Sequence, residues 1–385
     1  MNQFSNPWVE LKESLRAHAL ASGFDVAGFA APRPPPRGEY LATWLARGWH
    51  GGMSWMARRP DSRIDPVSLM AGTGVILVLG VNQCPPLRPE AFATYACHAD
   101  YHDLLQRGVQ DLGAWLTEKV GHPVAMRVCV DSAPLMEKPL AVAAGLGWQG
   151  KNALLATREF GCWLMLAELL IGLPLPPDAP DGGHCGDCDA CLSACPTDAL
   201  REPYRLDASR CLAYWTVESK GAIPLDMREA MGTRVFGCDA CLAGCPWNRF
   251  APVARRVEFL PRPELSGAAW EVWATLDEER FGHLFGDTPL RRLGRIRFLR
   301  NVAVALGHAE HPERIALLAG LLAHASPLVR GHAAWSLGRI ARAASPGDRL
   351  AAGMACDLLN AREAAEADDT VLAEIRQARM FTAPV

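Results

Sequence analysis

"HCGDCDACLSACPTDAL" (184–200) holds four cysteines within eleven positions and sets a proline directly after the last. The spacing is Cys185-x2-Cys188-x2-Cys191-x3-Cys195-Pro196. Bacterial two-cluster ferredoxins use this spacing to wrap three thiolates round one [4Fe–4S] cube and to point the fourth at a second cube. A shorter run, "CDACLAGCPWN" (238–248), repeats the pattern from its second cysteine onward. The position its first ligand would take is Val235, so this run is one thiol short. Cys211, in "DASRCLAYW" (207–215), is the available replacement. Crossing the two runs gives cluster one Cys185, Cys188, Cys191 and Cys245, and cluster two Cys195, Cys211, Cys238 and Cys241. Structural zinc also favours paired Cys-x2-Cys, but it needs neither the third closely spaced thiol nor the Cys-Pro pairs. Two such clusters mean that electrons cross the protein one at a time.

Around this device the chain of 385 residues is long enough for two or three domains with real cores. Its net charge of -3 gives no global basic field for nucleic acid, so any such contact needs a local patch. Thirteen cysteines behind a start with no signal-peptide pattern point to a reducing cytoplasm. The longest apolar run, "CWLMLAELLIGLPL" (162–175), is too short to span a bilayer and carries Glu168. No membrane partner is expected.

Residues 1–176 alternate helix-like and strand-like stretches, which suggests an α+β domain. "WVELKESLRAHALASG" (8–23) and "YHDLLQRGVQDLGAWLTEKVG" (101–121) read as helices, "GVILVLGV" (74–81) and "AMRVCV" (125–130) as buried strands, and "APRPPPRG" (31–38) as a loop. "GLPLPPDAPDGGH" (172–184) reads as a linker into a cysteine-bearing segment, 177–255, with little core of its own. From 256 to 385 the chain turns helical and weakly repetitive. "FLRNVAVALG" (298–307) aligns with "VRGHAAWSLG" (329–338) at an offset of 31 residues, like a pair of HEAT-type repeats that must dock on a neighbour.

Several shorter motifs carry weaker signals. "GLGWQG" (145–150) fits the dinucleotide fingerprint, but a helix precedes it where a strand should, so a helix C-cap is the better reading. "DYHDLL" (100–105) begins like a cobalamin His motif but has Leu105 at its glycine position. His98 and His102 could grip a metal, although two surface histidines are the commoner case. Asp131, at the end of a buried strand in "VCVDSAP" (128–134), is either a turn cap or a catalytic acid. "RRLGRIRFLR" (291–300) packs Arg291, Arg292, Arg295, Arg297 and Arg300 into ten residues, a surface helix or a phosphate-tracking patch.

Taken together, "YACHADYHD", "VDSAPLMEK", "GLGWQGKN", the eight cysteines including Cys211, "YWTVESKGAIP" and the helical tail resemble the epoxyqueuosine reductase family over nearly the whole chain. One departure is His98, where that family commonly has glycine, and Cys97 beside it is not a fixed feature. The resemblance implies a nitroreductase-like domain (1–176) binding cobalamin, a ferredoxin-like domain (177–255) and repeats (256–385) that help hold a tRNA anticodon stem-loop. It also implies an unidentified reductant protein. The implied reaction removes the epoxide oxygen from a cyclopentane ring, leaving an alkene, with two electrons and two protons. A low-valent cobalt reduced through two clusters suits it, and Asp131 would donate a proton to the departing oxygen. For that, burial would have to raise the Asp131 carboxyl above its usual range. Expected cobalamin contacts are Cys97, Asp131, Gly150, Lys151, Asn152 and Ser209, and expected tRNA contacts are Lys220, Arg295, Arg297 and Arg300. A reductive dehalogenase-like enzyme and a non-catalytic electron carrier are the alternatives.

Overall fold

Eight consecutive residues that are all buried, Val75–Asn82, form the strand β2 of a four-stranded sheet in a computed structural model. The structure describes residues 6–35, 37–267, 269–343 and 349–380. Pro36, inside the loop expected at 31–38, lies outside them. The strand order is β1 (Val26–Ala30), β2, β6 (Leu164–Ile171), β3 (Met126–Cys129), with every pair antiparallel. Strands β4 (Trp148–Gln149) and β5 (Leu155–Ala156) make a separate small hairpin. The apolar run at 162–175 is therefore chiefly a central strand, and its burial on both faces explains its continuous hydrophobicity.

Three helices accompany this sheet: α1 (Pro7–Ala21), α2 (Tyr101–Val120) and α3 (Glu137–Ala143). Asn6 caps α1 through its side chain, Asp100 caps α2, and Gly121 ends α2 in the left-handed conformation. The proline-rich linker is strapped down: Asp178 accepts from Lys12 at 2.6 Å, Arg16 at 2.9 Å and the Phe29 amide at 2.9 Å.

The chain packs as two compact units, each built from separated stretches. The first takes the chain up to Pro86, His98–Ser209 and Asp239–Leu260; the second takes Leu87–Cys97, Arg210–Cys238 and the chain from Pro261 on. In the second unit, Phe92 pairs with Phe236 and packs its ring against Trp273, 4.9 Å between centroids. That unit stacks α4 (Arg295–His308), α5 (Arg314–Leu322), α6 (Pro327–Ala343), α7 (Arg349–Ala365) and α8 (Asp369–Met380). The offset of 31 aligns Gly307 with Gly338, and both mark a close helix crossing. A Cβ on Gly307 would fall 2.7 Å from Ser336 Oγ of α6, and one on Gly338 would fall 2.6 Å from Ala378 Cβ of α8. No helix of the described residues is long and apolar enough to cross a membrane.

The central strand β6 contains one charge-bearing residue. Glu168 faces Val78 on β2 and Cys129 on β3, is 0% exposed, and neither carboxyl oxygen has a hydrogen-bond partner. Burial, reinforced by the nearby Glu137 carboxyl, drives its pKa well above the ordinary value despite Lys138. Glu168 is a neutral acid in the fold, whereas the unfolded chain releases that proton above about pH 4.3. Its folded-state burial is thus least costly at low pH and opposes folding increasingly as pH rises. Wild-type protein should lose stability relative to Glu168→Gln as pH rises above about 4.3, with a limiting slope of about 1.4 kcal/mol per pH unit while the folded carboxyl stays protonated. Anaerobic denaturant unfolding across that range measures the difference, and parallel pH slopes would mean that Glu168 is ionised in the fold.

Candidate functional site

The two cysteine runs fold alike. Each places a single helical turn, Ala190–Ser193 or Ala240–Ala243, after an aspartate, and these turns pack on one another. The closing cysteines are held by the same bond: the Cys195 amide donates to Leu192 O at 3.1 Å, the Cys245 amide to Leu242 O at 3.2 Å. Gly244 permits the approach, since a Cβ there would lie 3.0 Å from Ala194 Cβ. The Ala199 amide donates to Cys195 Sγ at 3.3 Å, the kind of bond that favours a thiolate.

None of the thirteen cysteines is in a disulfide. Burial and the neighbouring Cys245, Cys185 and Cys188 push the Cys191 thiol up to about 11, so crowded thiolates repel until a cation intervenes. Cys245 is drawn the other way, to about 6, first by a hydrogen bond from Cys162 and then by the Trp247 and Asn248 amides, against its burial. This donor set fits an iron–sulfur cluster. Among the described residues, no three of His, Cys, Asp and Glu converge on a single ion.

Asp131 follows β3 with φ +51, a left-handed conformation uncommon for a residue other than glycine. Its amide donates to Glu137 Oε1 at 2.6 Å, which holds the turn against the start of α3. The carboxylate is 54% exposed and accepts from His102 Nε2 at 3.0 Å. His102 is buried, and its Nδ1 lies 2.6 Å from Asp100 Oδ1, the same oxygen that caps α2. Burial disfavours a charged His102, but the hydrogen bonds and charges of Asp100 and Asp131 outweigh it and raise its pKa. Burial would raise Asp131, yet bonds from His102 and Tyr101 and the charges of Lys138 and His102 hold it below the carboxylate range. The expectation of a buried Asp131 with a raised pKa is corrected: the carboxyl is exposed and drawn down while His102 is drawn up, so the pair favours a proton on His102 over one on Asp131. Glu137 is pushed up to about 7, by burial first and then by the Asp131 charge.

The remaining expected residues divide sharply. Cys97 is a core thiol of the second unit, fully buried, with Sγ 3.7 Å from Leu265 O and 3.8 Å from Ala93 O. The helix-end reading of "GLGWQG" holds: α3 stops at Ala143, Gly145 adopts φ +73, and the hairpin follows. Gly150 is buried in that hairpin, its amide donating to Leu154 O and its carbonyl accepting from Ala153. Asn152 is also buried; its Nδ2 donates to Cys241 O at 3.2 Å, and its Oδ1 accepts from Leu154 at 3.2 Å. Cys97, Gly150 and Asn152 are thus all buried, and each makes internal hydrogen bonds. Lys151 is half-buried, and Ser209, half-buried, donates through Oγ and amide to Asp207 Oδ1. His98 and His102 are not surface residues: His98 precedes α2, is fully buried, and turns its ring to Gln83, Ala99 O and Phe259.

The arginine run is likewise reassigned. Arg300 is 0% exposed, and its guanidinium donates to Ser219 O at 2.8 Å, Gly221 O at 2.7 Å, Trp215 O at 2.8 Å and Asn301 Oδ1. Arg297 is half-buried and donates to Leu293 O, Val217 O and Arg292 O. The Arg300 guanidinium is fully enclosed, whereas Arg297 is only half-buried. Arg300 grips the carbonyls on both sides of Lys220, and Arg297 ties that loop to the turn bearing Arg292. Lys220, Arg291 and Arg292 are exposed; Arg295 is partly exposed and pairs with Glu278 at 2.9 Å.

Sequence reasoning missed the His102–Asp131 pair, Glu137 and Cys162. The Asp100-x-His102 spacing at a helix start was the only local signal for the first.

Residues 63–132 match the family model described as epoxyqueuosine reductase QueG, DUF1730, and residues 184–248 match the 4Fe-4S double cluster binding domain. The epoxyqueuosine reductase of Pseudomonas aeruginosa is 42% identical over 344 residues, covering 86% of this chain and 94% of that protein. That of Escherichia coli is 38% identical over 342 residues, covering 85% and 89%. A solved epoxyqueuosine reductase with a tRNA-Tyr epoxyqueuosine-modified stem loop superposes with a TM-score of 0.87 at 27% identity, over 97% of this chain and 99% of that one.

Replacing Arg300 should act on stability before it acts on any ligand. Arg300→Met leaves three carbonyls without their donor and should cost about 3 kcal/mol or more, while Lys220→Ala should change stability by less than about 0.5 kcal/mol. Thermal unfolding of both variants tests this. Equal stabilities would mean that Arg300 does not hold the loop.

Proposed function

The chain belongs to the epoxyqueuosine reductase family, and on that premise we propose that it reduces epoxyqueuosine to queuosine at the wobble position of tRNA. Its cofactors in this reading are cobalamin and two [4Fe–4S] clusters, served by a reductant protein in the cytoplasm. Cobalamin belongs to residues 1–176, a nitroreductase-like fold, the clusters to 177–255, and HEAT-like repeats in 256–385 help hold the anticodon stem-loop. Cluster one is held by Cys185, Cys188, Cys191 and Cys245, and cluster two by Cys195, Cys211, Cys238 and Cys241. Support comes from the double-cluster family match over 184–248 and from the crowding of Cys191 by Cys185, Cys188 and the second run's Cys245.

The reaction consumes two electrons and two protons and releases the epoxide oxygen as water. The clusters relay single electrons and cobalamin supplies the reducing centre at the substrate; the protein's own part is proton supply and positioning. The observation that carries the proposal is the His102 imidazole bridging Asp100 and Asp131. Asp100 anchors the ring, His102 stores a proton at Nε2, and Asp131, the exposed member, hands it to the departing oxygen. Glu137 sits behind Asp131 on the same turn, and its pKa of about 7 makes it a second group that still holds a proton in neutral solution. Lys151 and Ser209 are the side chains for cobalamin in this reading, with Cys97, Gly150 and Asn152 as its further expected contacts.

Single-turnover reduction of an epoxyqueuosine stem-loop by chemically reduced holoenzyme, read by mass spectrometry, tests the proton device. Asp131→Asn and His102→Gln should each slow turnover by roughly 10²–10⁴-fold, the usual worth of general acid catalysis. The double variant should be little slower than the worse single one, because both changes disable one proton. His102 stores its proton below its raised pKa, so the wild-type rate should fall as pH rises through that value. Either single variant turning over at the wild-type rate would remove the pair from the mechanism.

For the tRNA face, Lys220, Arg291 and Arg292 take the place of the buried Arg300 as phosphate contacts, with Arg295 and the half-buried Arg297 at their margin. Lys220→Ala and Arg292→Ala should each lower the salt slope of log K for the stem-loop by about 0.7–0.9, the worth of one phosphate partner. An unchanged slope in both variants would take this surface out of the RNA interface.

A further inference from the structure

Cys162 belongs to neither cysteine run, yet it lies in the cluster-bearing core of the first unit. Only 5% exposed, it packs with Trp148 and Ala156 against Cys185, Cys245 and Trp247. Two asparagines fix it there. Its amide donates to Asn248 Oδ1 at 2.9 Å, while Asn248 donates through Nδ2 to Leu242 O at 2.7 Å and through its amide to Cys245 O at 3.1 Å. The approach needs the preceding residue to be glycine: Gly161 has φ +55, and a Cβ there would fall 2.2 Å from Asn248 Oδ1. On the other side Asn152 Nδ2 points at Cys162 Sγ, 3.8 Å away. The Cys162 sulfur therefore accepts from Asn152, and Asn248, bonded to the backbones of both cysteines, holds it beside Cys245 in the same packed cluster.

Resting on the two-cluster reading, we propose that Cys162 is a tuning residue for cluster one: its S–H donates to the ligating sulfur of Cys245 and makes that cluster easier to reduce. A hydrogen bond to a ligating thiolate draws off negative charge, so it favours the reduced, more negative cluster. Asn152 and Asn248 act through Cys162 as the clamp that sets the direction of the bond. In this way the "GWQGKN" hairpin and the Phe160–Trp163 turn serve the clusters, which gives Asn152 a role that needs no contact with cobalamin.

The test compares Cys162→Ala and Cys162→Ser with wild type after anaerobic reconstitution, by iron count and by potentiometric titration followed by EPR. All three should bind eight irons if two cubes are present. In Cys162→Ala one of the two midpoint potentials should move to a lower value while the other stays put. Cys162→Ser keeps an O–H donor in the same place and should stay close to wild type. Unchanged potentials in Cys162→Ala with eight irons bound would overturn the tuning role. Loss of iron from both variants would also overturn it, because Cys162 would then be a ligand. Wild-type protein failing to bind eight irons would instead overturn the two-cluster reading itself.

Discussion

Thiolate repulsion governs how the cysteine-bearing part of the first unit is built. Cys185, Cys188, Cys191 and Cys245 are brought together by two helical turns with no apolar core of their own, and the charge they would develop is unfavourable without a cation. The fold answers with a layer around the sulfurs. Amides point at Cys195 and Cys245, Gly161 and Gly244 let backbone come close, and Trp148 and Trp247 shield one side. Metal affinity is then folding energy, and this segment is as stable as its clusters allow.

Buried charge is handled in opposite ways elsewhere. Arg300 keeps its charge inside the second unit because backbone carbonyls and Asn301 take up its donors, so an ion becomes a loop brace. Glu168 has no such partners and gives up its charge. His102, in the same unit as Glu168, is buried but flanked by two aspartates, so its pKa rises and its charged form is favoured. Position in the sheet and helix starts, more than residue type, decides which group carries a proton at neutral pH.

Much of this was legible in the sequence. The strand at 74–81, the helix at 101–121 and the glycine-bearing end of α3 follow from periodicity and punctuation, and the paired cysteine runs fold alike as their spacing implies. The side-chain environments were not legible. "RRLGRIRFLR" looks like a basic surface, but Arg297 and Arg300 turn into the second unit, and only the carbonyls of a loop some 80 residues earlier reveal why. Asp131 reads as a strand-end acid, but its ionisation depends on His102, 29 residues away in sequence. The interleaving of residues 87–97 and 210–238 with the C-terminal helices has no local signal at all.

The decisive experiment uses wild-type protein with both clusters reconstituted and a chemical reductant. An epoxyqueuosine-bearing stem-loop is incubated with it, with and without added cobalamin, and the modified base is weighed by mass spectrometry. The base should lose one oxygen atom when cobalamin is present and stay unchanged when it is withheld. Loss of the oxygen without cobalamin, or no loss with cobalamin and eight irons bound, would contradict the proposed reaction.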